Sequence, residues 1–407
     1  MGGLDRLIAG LCPDVRALSL GELGLFYGGL IDKSKDDFAN GNSKFITYMN
    51  IFNNASVNVG IADEVMIKDG ERQNIVQVGD ILFTGSSESL AESGMSAVLV
   101  AEPHEPLYLN SFCFGFRLNE PLLLLPDFSK HLFRSTVLRK QIVRTASGVT
   151  RFNVSKEKMK KVVIPLPPLE VQREIVRILD NFTELTAELT AELTARKKQH
   201  SYYRDSLLSF EDAPRVALSD CCISISDGDH QAPPKVDNGI PFITISNVSG
   251  SGAVDFTNIK FVPEAYYNAL ADKRKAKVND IPYTVVGSFG ISVFIDANMR
   301  FAFQRHIAIL RPDSNTILPK YLYHAMQSSD FMNQAHTVAT GAAQKTITLT
   351  ALNKMKVPLP HIDEQARIVD ILDRFNELVS DIKSGLPAEI AARKKQYEYY
   401  RDKLLTF

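Results

Sequence analysis

Side chains able to do covalent or metal chemistry are present, but their spacing does not assemble a site. The eight histidines show no ligand spacing and no HExxH, the pattern that sets two imidazoles on one helical face. Cys12, Cys113, Cys221 and Cys222 include no CxxC pair, so neither a zinc ribbon nor a disulfide framework is indicated. Asp227-Gly228-Asp229-His230 could make a metal loop, but a structural turn is the stronger reading. Pro233-Pro234 stands between Ala232 and Lys235. An amino-methyltransferase needs Asn or Asp before such a pair and an aromatic after it, to grip an extruded base. Asp127 and Asp313 each follow a proline, without the acid and lysine cluster by which a nuclease holds its metal. No GxxxxGK(S/T) phosphate loop and no Gly-rich strand-to-helix fingerprint occurs. The residues thus give no catalytic, cofactor or metal site.

Charge is more informative. The net charge is −1 over 407 residues, which does not advertise a polyanion partner. Yet between Lys130 and Lys161 there are ten Lys or Arg and one acid, Glu157. Such a stretch is either a solvated helix face or an electrostatic footprint for nucleic acid.

The elements that would position these cations come from a duplicated chain. Length alone asks for at least two domains. Ile164-Pro165-Leu166-Pro167, followed by Gln172, Ile175 and Phe182, returns as Val357-Pro358-Leu359-Pro360, followed by Gln365, Ile368 and Phe375. Arg196-Lys197-Lys198-Gln199, followed by Tyr202-Tyr203-Arg204-Asp205, returns as Arg393-Lys394-Lys395-Gln396, followed by Tyr399-Tyr400-Arg401-Asp402. Fainter echoes precede each helix: 79–84 with 279–284, 45–47 with 242–244, and Gly148 with Gly341. Asp5, Leu7 and Ile8 echo Asp205, Leu207 and Leu208, so residues 1–12 read as a truncated third helix end. A cyclic arrangement cut within one repeat predicts adjacent chain ends and a pseudo-twofold axis.

In the first repeated helix, Val171, Ile175, Ile178, Phe182, Leu185, Leu189 and Leu193 fall at steps of three and four, a coiled-coil seam. The second offers Ile368, Ile371, Phe375, Leu378 and Ile382. The prolines 165, 167 and 168 forbid an earlier start of the first helix, and Gly385 and Pro387 predict a kink or break in the second. Two antiparallel seams are natural partners. The rest reads as mixed α/β, with strands over 43–52, 74–84, 108–118, 241–248, 281–286 and 306–311 and short helices over 126–146 and 318–337. The fold class is therefore α/β (α+β): two mixed domains alternating with two long antiparallel coiled-coil helices. The boundaries are 1–163 for the first domain, 164–213 for its helix, 214–356 for the second domain and 357–407 for its helix.

This organisation, together with those paired motifs, the repeat Thr186-Ala187-Glu188-Leu189-Thr190-Ala191-Glu192-Leu193 and Gly341-Ala342-Ala343-Gln344, resembles the specificity subunits of Type I restriction–modification enzymes over essentially the whole chain. Pro282 departs from the apolar β-former usual there and weakens the case for a regular central strand. The resemblance implies a non-catalytic reader of bipartite DNA with two target-recognition domains. It also implies two methyltransferase subunits as partners, with restriction and motor subunits joined through them. S-adenosylmethionine, ATP and magnesium would belong to those partners, and the location would be cytoplasmic. Phosphate contacts are expected from Arg139, Lys140, Arg144, Arg151 and Lys156, and from Arg274, Lys275, Arg305 and Lys345. Base readout is expected from Arg151, Gln344 and Lys345, with Ser86, Ser87, Ser288, Gln304 and His306 as weaker candidates. Two other readings stay open at this point: a coiled-coil protein scaffold, and a self-contained methyltransferase or nuclease with degenerate motifs.

Overall fold

A computed structural model of the protein describes residues 15–228, 233–250, 252–342, 344–380 and 385–407. The echo at Asp5, Leu7 and Ile8, the pair Asp229-His230 and the seam position Ile382 lie outside the described residues. The chain divides into two compact units, 1–188 with 391–407, and 189–390.

In the first unit, an antiparallel sheet runs in the order Gly24–Gly28, Cys113–Leu118, Ile81–Thr84, Ser96–Val98. A second sheet joins Asp63–Val65, Ser43–Ile46 and Leu107–Leu109. Helix α1 (Pro126–Leu132) and helix α2 (Thr136–Val143) follow. The expected single helix over 126–146 is two, because the Ser135 hydroxyl accepts from Leu138 N–H and starts a new helix there. The expected strand over 43–52 likewise stops at Ile46, where Thr47 caps a helix over Tyr48–Asn53.

Helix α3 (Leu169–Leu207) is continuous for 39 residues, about 58 Å, and starts directly after Pro168. Its first turns bury Val171, Gln172, Ile175 and Leu179 in the core of the first unit. That is a helical i, i+4 stripe, not the expected seam. The seam positions Ile178, Phe182, Leu185, Leu189 and Leu193 are half-buried. Within this unit Phe182 stacks on Tyr400 at 5.2 Å.

The second unit repeats the plan. Cys222–Asp227, Ile307–Pro312 and Ile281–Thr284 form its main sheet, and Lys260–Val262, Ile240–Ile243 and Ala302–Phe303 its second. Helices α4 (Pro319–Ala325) and α5 (Ser329–Val338) replace the expected helix over 318–337, split by the Ser328 cap. Helix α6 (Ile362–Ser380) and helix α7 (Leu386–Leu404) replace the second long helix, the interruption expected from Gly385 and Pro387. Ile368 and Leu372 are buried, Ile371 and Phe375 half-buried, and Leu378 is 40% exposed. Leu378 is thus not sealed in a seam. Phe375 meets Tyr203 of α3 at 5.6 Å while Leu208 joins the core that holds Ile368, so α3 and α6 run antiparallel in this unit. In the first unit α3 and the end of α7 do the same, with Leu404 and Leu405 in its core.

Pro282 explains a difference between the sheets. The strand 81–84 is central, whereas Ile281–Thr284 pairs regularly only with Ile307–Pro312. On its other side the Pro282 carbonyl accepts from Val293 N–H, but proline has no N–H to return. Among the described residues only an isolated bridge, Tyr283 with Ser292, forms there. The repeated 79–84 and 279–284 segments are turn and anchor. Gly79 and Asn279 both have positive φ, and the buried carboxylates of Asp80 and Asp280 hold Arg117 and Arg311. Among the described residues, no helix is long and apolar enough to cross a membrane.

Candidate nucleic-acid interface

Each domain raises one glycine-led turn beside the end of its main sheet. In the first, Ala146–Ser147 and Phe152–Val154 pair antiparallel, and Phe152–Val154 pairs in turn with Ser86–Ser87. The turn between them opens with Gly148 at φ +151°, where a Cβ would strike the Arg151 carbonyl. Val149 at its tip is 91% exposed. The Arg151 guanidinium lies 6.0 Å over the ring of Phe112, itself 62% exposed. The backbone closes this group, since Gly85 N–H donates to the Phe112 carbonyl and Val154 N–H to the Gly85 carbonyl.

The second domain builds the same corner. Gly341 has φ +111°, and a Cβ there would strike the Gln344 carbonyl. Gly287 N–H donates to the Lys345 carbonyl, Val285 N–H to the His306 carbonyl, and Ile347 N–H to the Val285 carbonyl. Exposed Ser288, Arg305, Gln344 and Lys345 and half-buried Gln304 and His306 therefore belong to one loop cluster. Burial first, and the Arg305 charge second, hold the His306 pKa below its ordinary value. At pH 7 it is a neutral donor and acceptor.

Several expected contacts sit elsewhere. Arg139 spends its guanidinium on the carbonyls of Gly94, Ser93 and Ala91, which corrects the expectation of a phosphate ligand. Burial holds it at a pKa of about 10, so it stays charged. Lys140 and Arg144 beside it are exposed, as are Arg151 and Lys156. Ser86 and Ser87 are buried strand residues: the Ser86 carbonyl accepts from Tyr48 and the Ser87 hydroxyl from Ser89 N–H. Arg274 is half-buried 3.7 Å from Asp227. Lys275 donates to the Asn268 carbonyl over the face of Tyr267. Those last two belong to the turn that receives Arg311, whose guanidinium donates to the Lys275 carbonyl.

Phe112 is the residue that sequence reading missed. It occupies the place of His306, because each carbonyl accepts from the residue that follows the repeated strand 81–84 or 281–284, Gly85 or Val285. The signal was an exposed aromatic directly before a β-run.

The motifs shared by the two helices turn out to seat each domain. Gln172 accepts from Leu125 N–H and donates to the carbonyls of Leu123 and Pro167, and Gln365 does the same with Leu318 N–H and Pro360. Asp402 takes both the N–H and the hydroxyl of Thr136 at the start of α2, and Asp205 takes those of Ser329 in α5, where a carboxylate also suits the helix dipole.

The family model of the Type I restriction modification DNA specificity domain matches residues 14–196 and 227–392. The specificity subunit of the Escherichia coli Type I restriction enzyme EcoR124I/EcoR124II is 38% identical over 275 residues, covering 62% of this chain and 65% of that subunit. The chain thus spans just under two thirds of that relative. A putative type I restriction enzyme specificity subunit of Haemophilus influenzae is 34% identical over 278 residues, covering 64% of this chain and 68% of that one. Among solved structures, a chain of a type I R-M system superposes with a TM-score of 0.64 at 20% identity, over 97% of this chain and 98% of its own. The Type I S subunit of M. genitalium gives 0.50 at 15% identity, over 97% and 96%. Those two similarities speak to fold alone.

Proposed function

The chain belongs to the Type I restriction–modification DNA specificity family, and on that premise we propose that it is the DNA-reading, non-catalytic subunit of such a complex. Each domain reads one half of a bipartite, asymmetric site. The observation that carries this is the recurrence of one exposed corner in two domains whose sequences have otherwise diverged: turn 148–151 with Phe112, and turn 341–345 with Arg305 and His306. Arg151 suits guanine and Gln344 adenine in the major groove, while Lys140, Arg144, Lys156 and Lys345 supply sequence-independent attraction to phosphates.

The partners in this reading are double-stranded DNA and two methyltransferase subunits, with restriction and motor subunits joined through them. The methyltransferases would dock on the outward helix faces and on Lys197-Lys198 and Lys394-Lys395, all exposed. S-adenosylmethionine, ATP and magnesium then serve the partners, and the complex works in the cytoplasm. The test is to co-express the chain with its methyltransferase and map methylated bases across a genome. The reading expects a two-part motif, and Arg151→Ala should relax one half of it and leave the other intact. Methylation without any two-part motif would overturn it.

A further inference from the structure

Duplication allows one half of the chain to be compared with the other, and at one place the comparison leaves a hole. In the first unit the Tyr397 hydroxyl lies 2.9 Å from His131 Nδ1. Beside it the Arg134 guanidinium donates to the carbonyls of Ser96, Ile51, Phe52 and Asn54, and Arg139 covers the neighbouring carbonyls of Gly94, Ser93 and Ala91. The place is filled by large side chains and its polar atoms are paired.

The second unit carries smaller groups at the same positions. Gln327 follows His324 by the interval at which Arg134 follows His131. Met332 stands as far past the Ser328 cap as Arg139 past Ser135. His200 takes the place of Tyr397 after the repeated Arg-Lys-Lys-Gln. A cavity of about 440 Å³ results, lined by Lys197, His200, Arg204, Ser292, Tyr323 and Gln327 among others. His200 is 7% and Ser292 3% exposed, yet His200 Nε2 and Ser292 Oγ have no hydrogen-bond partner. Buried polar atoms left so are costly unless a solute or water meets them. Lys197 and Arg204 bring positive charge, and among the described residues no carboxylate lines the cavity. Asp205 next to it is engaged by Arg204 and Ser329.

We propose that this cavity is a binding site for a small tetrahedral oxyanion, inorganic phosphate or a phosphate monoester group. Lys197 and Arg204 supply charge, and the Ser292 hydroxyl, the Gln327 amide and the His200 N–H supply donors, the mixture by which proteins hold phosphate. A cationic ligand would enter beside two cations with no acid to receive it. His200 is held neutral, its pKa near 4, by burial first and then by the charges of Arg204 and His324. An anion seated beside it would relieve that field and raise the value. The inference does not depend on DNA reading.

The test is equilibrium dialysis of the full chain against radiolabelled inorganic phosphate, with NMR of histidine-labelled protein in parallel. The expectation is one phosphate per chain at millimolar concentration and an upward move of the His200 titration. Gln327→Leu removes the amide donor at similar volume and adds no charge, and should weaken binding about tenfold, roughly 1.4 kcal/mol. Should that variant fold poorly by circular dichroism, Ser292→Ala, which removes only a hydroxyl, should still weaken phosphate several-fold. Duplex DNA added to the same sample separates two sources of the anion. Displacement of phosphate assigns the site to the DNA backbone, and coexistence assigns it to a free phosphate. No saturable binding, or binding unchanged in both variants, overturns the proposal. DNA retention by the same variants, measured separately, reports on the reading function alone.

Discussion

His131 Nε2 lies 2.8 Å from Oδ1 of Asp180, and His324 Nε2 repeats the contact with Asp373 at 2.9 Å. In both units a buried histidine of the domain is thus tied to a carboxylate on the helix beneath it. Lysines one helical turn apart in origin, Lys130 and Lys320, reach the same two carboxylates. Removing the acceptor by Asp180→Ala leaves the buried His131 N–H unpaired, a loss of about 2 kcal/mol. Urea unfolding should show an earlier first transition and leave the second unit's transition in place. An unchanged profile would mean that the histidine finds water instead.

His131 and His200 set a pH window. Burial lowers the His131 pKa against the pull of Asp180, and His200 is lowered to about 4. A histidine depressed in the folded state binds its proton more readily once unfolded. Its contribution is complete above the unfolded value of roughly 6.5 and is lost as pH falls through the folded value. The carboxylate of Asp180 is also depressed: burial opposes this, but the hydrogen bonds and charges of His131 and Lys130 outweigh it. Its loss starts only below roughly pH 4. Stability should therefore decline between about pH 6.5 and 4, with His200 contributing on the order of 3 kcal/mol. His200→Tyr, the residue of the first unit, should flatten the decline in urea midpoints measured over that range.

Much of this was legible beforehand, for physical reasons. The helices were readable because a long solvent-facing rod must carry its apolar residues at fixed steps, and prolines mark its ends. The glycines at 148 and 341 were readable because only glycine tolerates the carbonyl that approaches them. The stripe at Val171, Ile175 and Leu179 was not readable as a domain contact, since its spacing overlaps that of a seam. The charge of Arg139 gave no hint of its direction either. Facing water or three carbonyls is decided by what packs over the stem, and that is set by residues 91–94, far away in sequence.

That distinction gives a paired prediction. Lys140 and Arg144 are exposed on α2 and just beyond it, whereas Arg139 faces inward. Lys140→Ala with Arg144→Ala should weaken binding to specific and random duplexes alike. The slope of log affinity against log salt should fall by about 2, with no change in unfolding midpoint. Arg139→Ala should do the reverse, destabilising the first unit by about 2–3 kcal/mol through its uncovered carbonyls and leaving the salt slope of the folded fraction alone. Equal effects on slope from both variants would place Arg139 back among the DNA ligands.

The final prediction concerns the continuous helix. Residues 186–193 repeat Thr-Ala-Glu-Leu twice within α3. The Thr186 and Thr194 hydroxyls turn back onto the carbonyls of Phe182 and Thr190, and the helix passes through unbroken. Deleting 190–193 removes four residues, about 6 Å of rise and about 1.1 turns. The half-buried Leu189 would then be followed by residues whose facing is nearly preserved. Removing two or three residues would instead swing the rest of α3 away from its packing, and should abolish folding of the second unit, whose core includes Leu208. Gly385 and Pro387, which disfavour a continuous helix there, would let the second helix absorb part of the change. With the loops at 148–151 and 341–345 untouched, the four-residue deletion should keep both half-sites. It should shorten the gap between them by roughly one to two base pairs, at about 3.4 Å each. Methylated motifs mapped across a genome carrying the deletion would show the new gap directly, and intact half-sites at the original gap would show that α3 does not set the distance.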